Sequence, residues 1–164
     1  MNNQTVSNLI EECLFEFDRI EVLIVALTGT NPAVPFLTKY AIIKATGTIE
    51  QSFKTIIFDH ACSEQSVHVR NYINNSFKES SLNPSLTNIH NSLIKFNEPW
   101  NENFKNLLKN EPNIERLRSS LNSLNNARNQ FAHGANPNMT FQDLKTYFHD
   151  SVKIIDYLEQ SILT

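Results

Sequence analysis

Over residues 6–27 one set of apolar side chains, Val6, Ile10, Cys13, Phe17, Ile20, Ile24 and Leu27, follows spacings of 4, 3, 4, 3, 4 and 3. That rhythm draws one narrow stripe along a helix. It cannot lie on one face of a strand, where side chains return to the same face every second residue. Near the other end of the sequence, Phe141, Leu144, Phe148, Val152, Ile155, Leu158 and Ile162 repeat the helical pattern. Little in between interrupts it, because the 164 residues include only 3 Gly and 6 Pro. No segment shows strand-like alternation. The pattern predicts an all-α helical bundle with about four long helices and one or two short ones, folded as a single domain over residues 1–164.

The helices are delimited by local signals. Gly29, Pro32 and Pro35 end the first, at about residue 27. A second runs over about 35–62, with Phe36, Tyr40, Ile43, Gly47, Phe53, Ile57 and Ala61 marking its apolar side. Gly47 costs about 1 kcal/mol in a helix interior relative to Ala, and is expected to admit a neighbouring helix closely. Glu50 lies seven residues from both Ile43 and Ile57, on or beside that stripe. A buried lone carboxylate is costly, so Glu50 is expected to meet Arg128 or another basic group. A third segment, about 66–77, carries Val69, Tyr72, Ile73 and Phe77. Short helices follow over about 86–96 and, after a break at NEPW, about 103–108. The next helix starts near Pro112, suited to a first turn, and ends at Gly134, a natural C-cap. Thr140, with Asp143 three residues on, caps the last.

A formal net charge of -3 argues against a broad nucleic-acid coat, though not against a local grip on one phosphate. Cys13 and Cys62 fall among apolar neighbours and are read as buried free thiols. The opening MNNQTVSN lacks the basic and apolar regions of a signal peptide, and the longest apolar run, VLIVAL, is too short for a bilayer. A cytoplasmic protein with no membrane partner is expected. No Cys/His or carboxylate cluster has metal-ligand spacing, so neither metal nor cofactor is expected. His60, His68, His90 and His149 are scattered and read as surface or satisfied histidines. Trp100 reads as a core anchor.

One stretch departs from the pattern. In the helix after Pro112, Ile114, Leu117, Leu121 and Leu124 set a 3, 4, 3 rhythm whose next beat is position 128. That beat is Arg128, and RNQFAHG, residues 128–134, then closes the helix with His133. The C-terminal end of a helix favours cations. Arg128 and His133 are five residues apart, about 140° around an ideal helix. An ion pair between Arg128 and Glu50, with His133 merely capping its helix, would account for both. RNA cleavage by its own 2′-hydroxyl would also use them. There His133 supplies general acid–base chemistry, Arg128 binds the phosphate and its developing charge, and Asn129 orients one of them. One such His per chain suggests a two-fold dimer with a composite cleft. Arg116 and Arg118, upstream, fit an extended phosphate contact or a solvated face.

The segment ARNQFAHG, ending the penultimate long helix, resembles the signature of the HEPN superfamily: Arg, four to six residues, then His, with a polar residue often following the Arg. Arg128, Asn129 and His133 match those positions. FLTKYAIIKATGTIEQSFKTII resembles the long second helix of the RiboL-PSP type of HEPN protein, where a Glu interrupts an apolar helix as Glu50 does here. The resemblance covers about residues 8–162. It implies a helical-bundle homodimer, an RNA substrate and metal-independent endoribonuclease activity of the kind found in toxins and antiviral effectors. An antitoxin or a larger defence-system protein would be the restraining partner. The alternative it also implies is a non-catalytic HEPN dimer that senses RNA or binds proteins.

Overall fold

Local capping sets most helix boundaries in the computed structural model, which describes residues 1–28 and 31–163. Asn3 caps α1 (Gln4–Leu27) by accepting from the Val6 N–H at 3.1 Å. Helix α2 (Val34–Ala61) opens with Pro35 in its first turn. Helix α3 (Val67–Ile73) runs into a π-helical turn, Asn74–Lys78. Ser85 caps α4 (Leu86–Phe96). Asn97 then caps α5 (Glu98–Lys109), its side chain accepting from the Trp100 N–H at 3.2 Å. The expected break at NEPW is therefore a single capping residue, and Pro99 sits in the first turn where its missing N–H costs nothing. Pro112 lies in the turn before α6 (Ile114–Ala132) and not in the helix. Thr140 and Asp143 form a reciprocal cap at the start of α7 (Phe141–Leu163): Asp143 N–H donates to Thr140 Oγ1 at 3.0 Å, and Thr140 N–H to Asp143 Oδ2 at 3.2 Å. Gly29, expected to help end α1, lies outside the described residues.

The architecture is an all-α bundle, with the four long helices α1, α2, α6 and α7 expected from the sequence. Three shorter helices and the π turn join them among the described residues, more than the one or two expected. Helix α7 is central, packing on α2, α5 and α6, while α1 lies chiefly along α2. The α1 stripe is buried from Val6 through Ile20, and Phe17 meets Phe148 edge-on at 5.2 Å between ring centroids. Each such buried side chain contributes about 1.5–3 kcal/mol. Cys13 and Cys62 are both buried and unpaired. Burial pushes the Cys13 thiol up to about 11. Trp100 packs, half-buried, against the core.

Two sequence expectations about faces are corrected. On α2, Phe36, Tyr40 and Ile43 are exposed, and the buried side at this end is Thr38, Ala41, Ile42, Ala45 and Ile49. Small and β-branched side chains let α2 approach its neighbours, and the bulkier ones are turned out. A Cβ added at Gly47 would meet nothing within 4 Å, so this glycine admits no close helix within the chain. On α3 no residue is buried, and only Phe77, in the π turn, reaches inward, to Phe53 and Phe96. Val69 and Tyr72 are exposed, because α3 has no long helix of its own chain to lay them on.

Candidate functional site

Helix α6 buries Leu117, Leu121 and Leu124, and Arg128 follows on the same side as the helix approaches its end. The guanidinium is half-buried there. Its Nη1 donates to Asn129 Oδ1 at 3.3 Å, and among the described residues no carboxylate lies within ion-pair distance. Asn83 Nδ2 donates to the same oxygen at 3.1 Å. Asn129 thus accepts from Arg128 with its side chain. With its backbone carbonyl it accepts the His133 N–H at 3.0 Å. One residue couples both members of the Arg–His pair to the last turn.

The termination of α6 decides where His133 stands. Gly134 adopts φ 80°, a left-handed conformation that is readily available to glycine. Its N–H bonds Phe131 O at 3.0 Å, and the Ala135 N–H bonds Gln130 O at 2.8 Å, so the chain reverses directly after His133. His133 is exposed, and no described residue hydrogen-bonds its imidazole. Arg128 therefore faces the bundle and His133 faces out, about 7.5 Å further along the axis. No hydrogen bond joins the two side chains among the described residues.

Glu50 reaches the site indirectly. Of its two expected kinds of partner it takes the other base: Lys54 Nζ stands 2.8 Å from Glu50 Oε1, one helical turn on. Lys54 is itself buried and also donates to the Ser80 carbonyl. The same Glu50 oxygen accepts the Leu82 N–H at 2.9 Å. This pins the start of the 82–85 loop, whose next residue is Asn83. The loop is held further by Asn125 Nδ2, which donates to Pro84 O at 3.2 Å, and by Asn88 Nδ2, which donates to Asn83 O at 2.8 Å. Sequence reasoning missed Asn83 and Asn125. The only signal was Asn itself, and Asn is too frequent in this chain to single out two of them.

The remaining candidates lie elsewhere. Arg116 pairs with Asp150 at 3.0 Å and Arg118 with Glu115 at 3.2 Å, both near the opposite end of α6. At 1.5 Å per residue they are about 15–18 Å from Arg128 along the axis. His90 bonds Asn101 through Nδ1 at 2.7 Å and lies against Phe104. Among the described residues, no three His, Cys, Asp or Glu side chains gather as a metal site, and no helix is long and apolar enough to cross a membrane.

An all-α bundle of this kind has the architecture of a HEPN domain. The family model RiboL-PSP-HEPN matches residues 10–164, and the chain belongs to that family. No curated protein and no solved structure matches the chain. Membership of this family supports an RNA-related function.

Proposed function

We propose that this protein is an endoribonuclease that cleaves RNA by attack of the 2′-hydroxyl on the adjacent phosphate. The observation that carries the reading is Arg128. It is a half-buried guanidinium with no carboxylate partner among the described residues, aimed by Asn129 and placed five residues before an exposed His133. A buried ion pair would have made Arg128 a structural residue. Left without one, it keeps donors for an oxyanion, and guanidinium geometry suits phosphate.

In the proposed reaction the O2′–P bond forms as the P–O5′ bond breaks. A base takes the 2′ proton, an acid delivers a proton to O5′, and the product is a 2′,3′-cyclic phosphate. His133 is the acid–base group, Arg128 holds the phosphate and its developing charge, Asn129 orients Arg128, and Glu50 supports the loop behind it. Because Arg128 and His133 face apart within one chain, the cleft is completed by a second copy across a two-fold axis. Such an enzyme would act in the cytoplasm as a toxin or antiviral effector, restrained by an antitoxin or a larger defence protein.

The test is incubation of the purified protein with total RNA, in EDTA and in magnesium, with end analysis of the products. Cleavage in EDTA giving 2′,3′-cyclic phosphates supports the reading. Products with 5′-phosphate and 3′-hydroxyl ends, or cleavage that EDTA abolishes and magnesium restores, overturn the mechanism. Binding of RNA with no cleavage would instead favour a non-catalytic sensing dimer. Light scattering should return about twice the 18.8 kDa chain mass, and a clean monomer removes the composite cleft.

A further inference from the structure

Beside the RNQFAHG segment a groove of about 600 Å³ opens between the end of α1, the start of α2 and the 135–140 segment. Ile24, Val34, Ile42 and Met139 give it an apolar lining, and Asn136 and Asn138 bring amides to it. Lys39 stands in its wall and makes no ion pair among the described residues. It spends one donor on Asn136 Oδ1, at 2.5 Å. Its Nζ lies 5.4 Å from the centroid of the Phe36 ring and 5.8 Å from that of Phe131. Both rings stand next to Lys39, outside the groove's lining, Phe36 68% exposed and Phe131 37%. Phe131 belongs to the motif itself, between Arg128 and His133, so the groove adjoins the proposed cleavage site.

Each part matches one part of a nucleotide. An unpaired cation attracts a phosphate, exposed rings offer a face on which a base stacks, and amides can meet base edges. The volume is of the size that holds a small ligand. A paired base could not enter, because its face and edges are occupied in the duplex. An apolar helix would fill the lining but would leave Lys39 without an anion. We propose that this groove and the two rings beside Lys39 together form a subsite for an unpaired RNA nucleotide, with the base stacked on Phe36 or Phe131 and the phosphate on Lys39. It rests on the ribonuclease reading only in naming RNA as the ligand, and it sets a preference for single-stranded segments next to the cleaved bond.

The experiment uses a fluorescent mixed-sequence RNA octamer, 2′-O-methylated so that no nucleophile is present. Its anisotropy is followed with the full chain, alone and annealed to its complement. The single strand should bind and the duplex should bind more weakly. Lys39→Ala and Phe36→Ala should each weaken binding about tenfold, and Lys39→Ala should lower the slope of log K against log salt by about 0.7. Phe36→Leu, which keeps apolar bulk without the ring, should also weaken it, and Phe36→Tyr should restore it. Equal affinity for the parent, Lys39→Ala and Phe36→Leu overturns the subsite, as does absence of binding by the parent. So does a Phe36→Ala variant that turns a dimer into a monomer at unchanged RNA affinity, because the face would then be an interface between copies. If the unmodified strand is cut identically by all variants, the subsite falls and the ribonuclease reading stands. If the methylated strand binds through Lys39 and Phe36 while the unmodified strand survives intact, the reverse holds.

Discussion

At the N-terminal end of α6, every described charge is matched. Arg116 and Ser120 both donate to Asp150, at 3.0 and 2.7 Å. Arg118 pairs with Glu115. Just before the helix, Glu111 accepts from Lys153, Tyr157 and the Asn113 N–H, clamping the α5–α6 turn onto α7. At the C-terminal end, 12 residues after Arg116, Arg128 has one amide oxygen and His133 has no side-chain partner among the described residues. Both ends carry cations, but only one end satisfies them within the chain. Half-burying a charge without an ion partner is unfavourable. The helix resolves this fully at one end and leaves it open at the other, where the proposed site lies.

The largest effect that could break this comparison is on catalysis. His133→Ala and Arg128→Ala should each lower RNA cleavage by at least about a hundredfold, the lower range for loss of acid–base help, with little change in melting temperature. Full activity in His133→Ala would show that the open end is not a site. Asp150→Ala tests the opposite end. It leaves a buried Ser120 hydroxyl and Arg116 without their acceptor, at a cost of about 1–3 kcal/mol, and denaturant melts should show it. Cleavage per folded molecule should not change, and a selective loss of activity would blur the two roles.

Smaller effects sharpen the boundary between the ends. Asn83→Ala removes one of two donors on Asn129 and frees the loop that backs Arg128. It should lower kcat about two- to tenfold, the size of one neutral hydrogen bond, with KM nearly unchanged. A loss confined to thermal stability would make Asn83 a fold residue only. The smallest effect concerns pH. Lys153, Tyr157 and the Asn113 N–H hold the Glu111 carboxyl at about 2, below its ordinary 4.5. A lowered carboxylate contributes stability that is present above the ordinary value and is lost as pH falls through the interval toward 2. Stability of the parent should therefore decline between about pH 4.5 and 2. Glu111→Gln should be less stable at neutral pH and show a flatter acid limb, and an unchanged limb would assign acid unfolding to other carboxylates.

The Arg128 slot was legible in the sequence because a periodic pattern exposes the residue that breaks it. His133 was legible because Gly134 marks the helix end. Glu50 was legible as a carboxylate that must find a base, but not as the partner of Lys54 and the Leu82 N–H. The lining of the groove was not legible at all. Lys39, in its wall, and Phe36, next to Lys39, lie on the side of α2 that the spacing had assigned to the core.

What the sequence determined by itself is therefore the helical class and most helix ends. These rest on interactions within one turn, such as Thr140 with Asp143, three residues apart. Only the tertiary structure decided which face of α2 is buried, what Glu50 holds, and which residues stand around Arg128. Those outcomes depend on pairings between residues 32, 46 and 97 positions apart: Glu50 with Leu82, Asn83 with Asn129, and Lys39 with Asn136. Helical periodicity records the direction of a side chain relative to its own axis. It does not record which other helix arrives on that side, and packing of α1 and α7 against the small side chains of α2 settled that question.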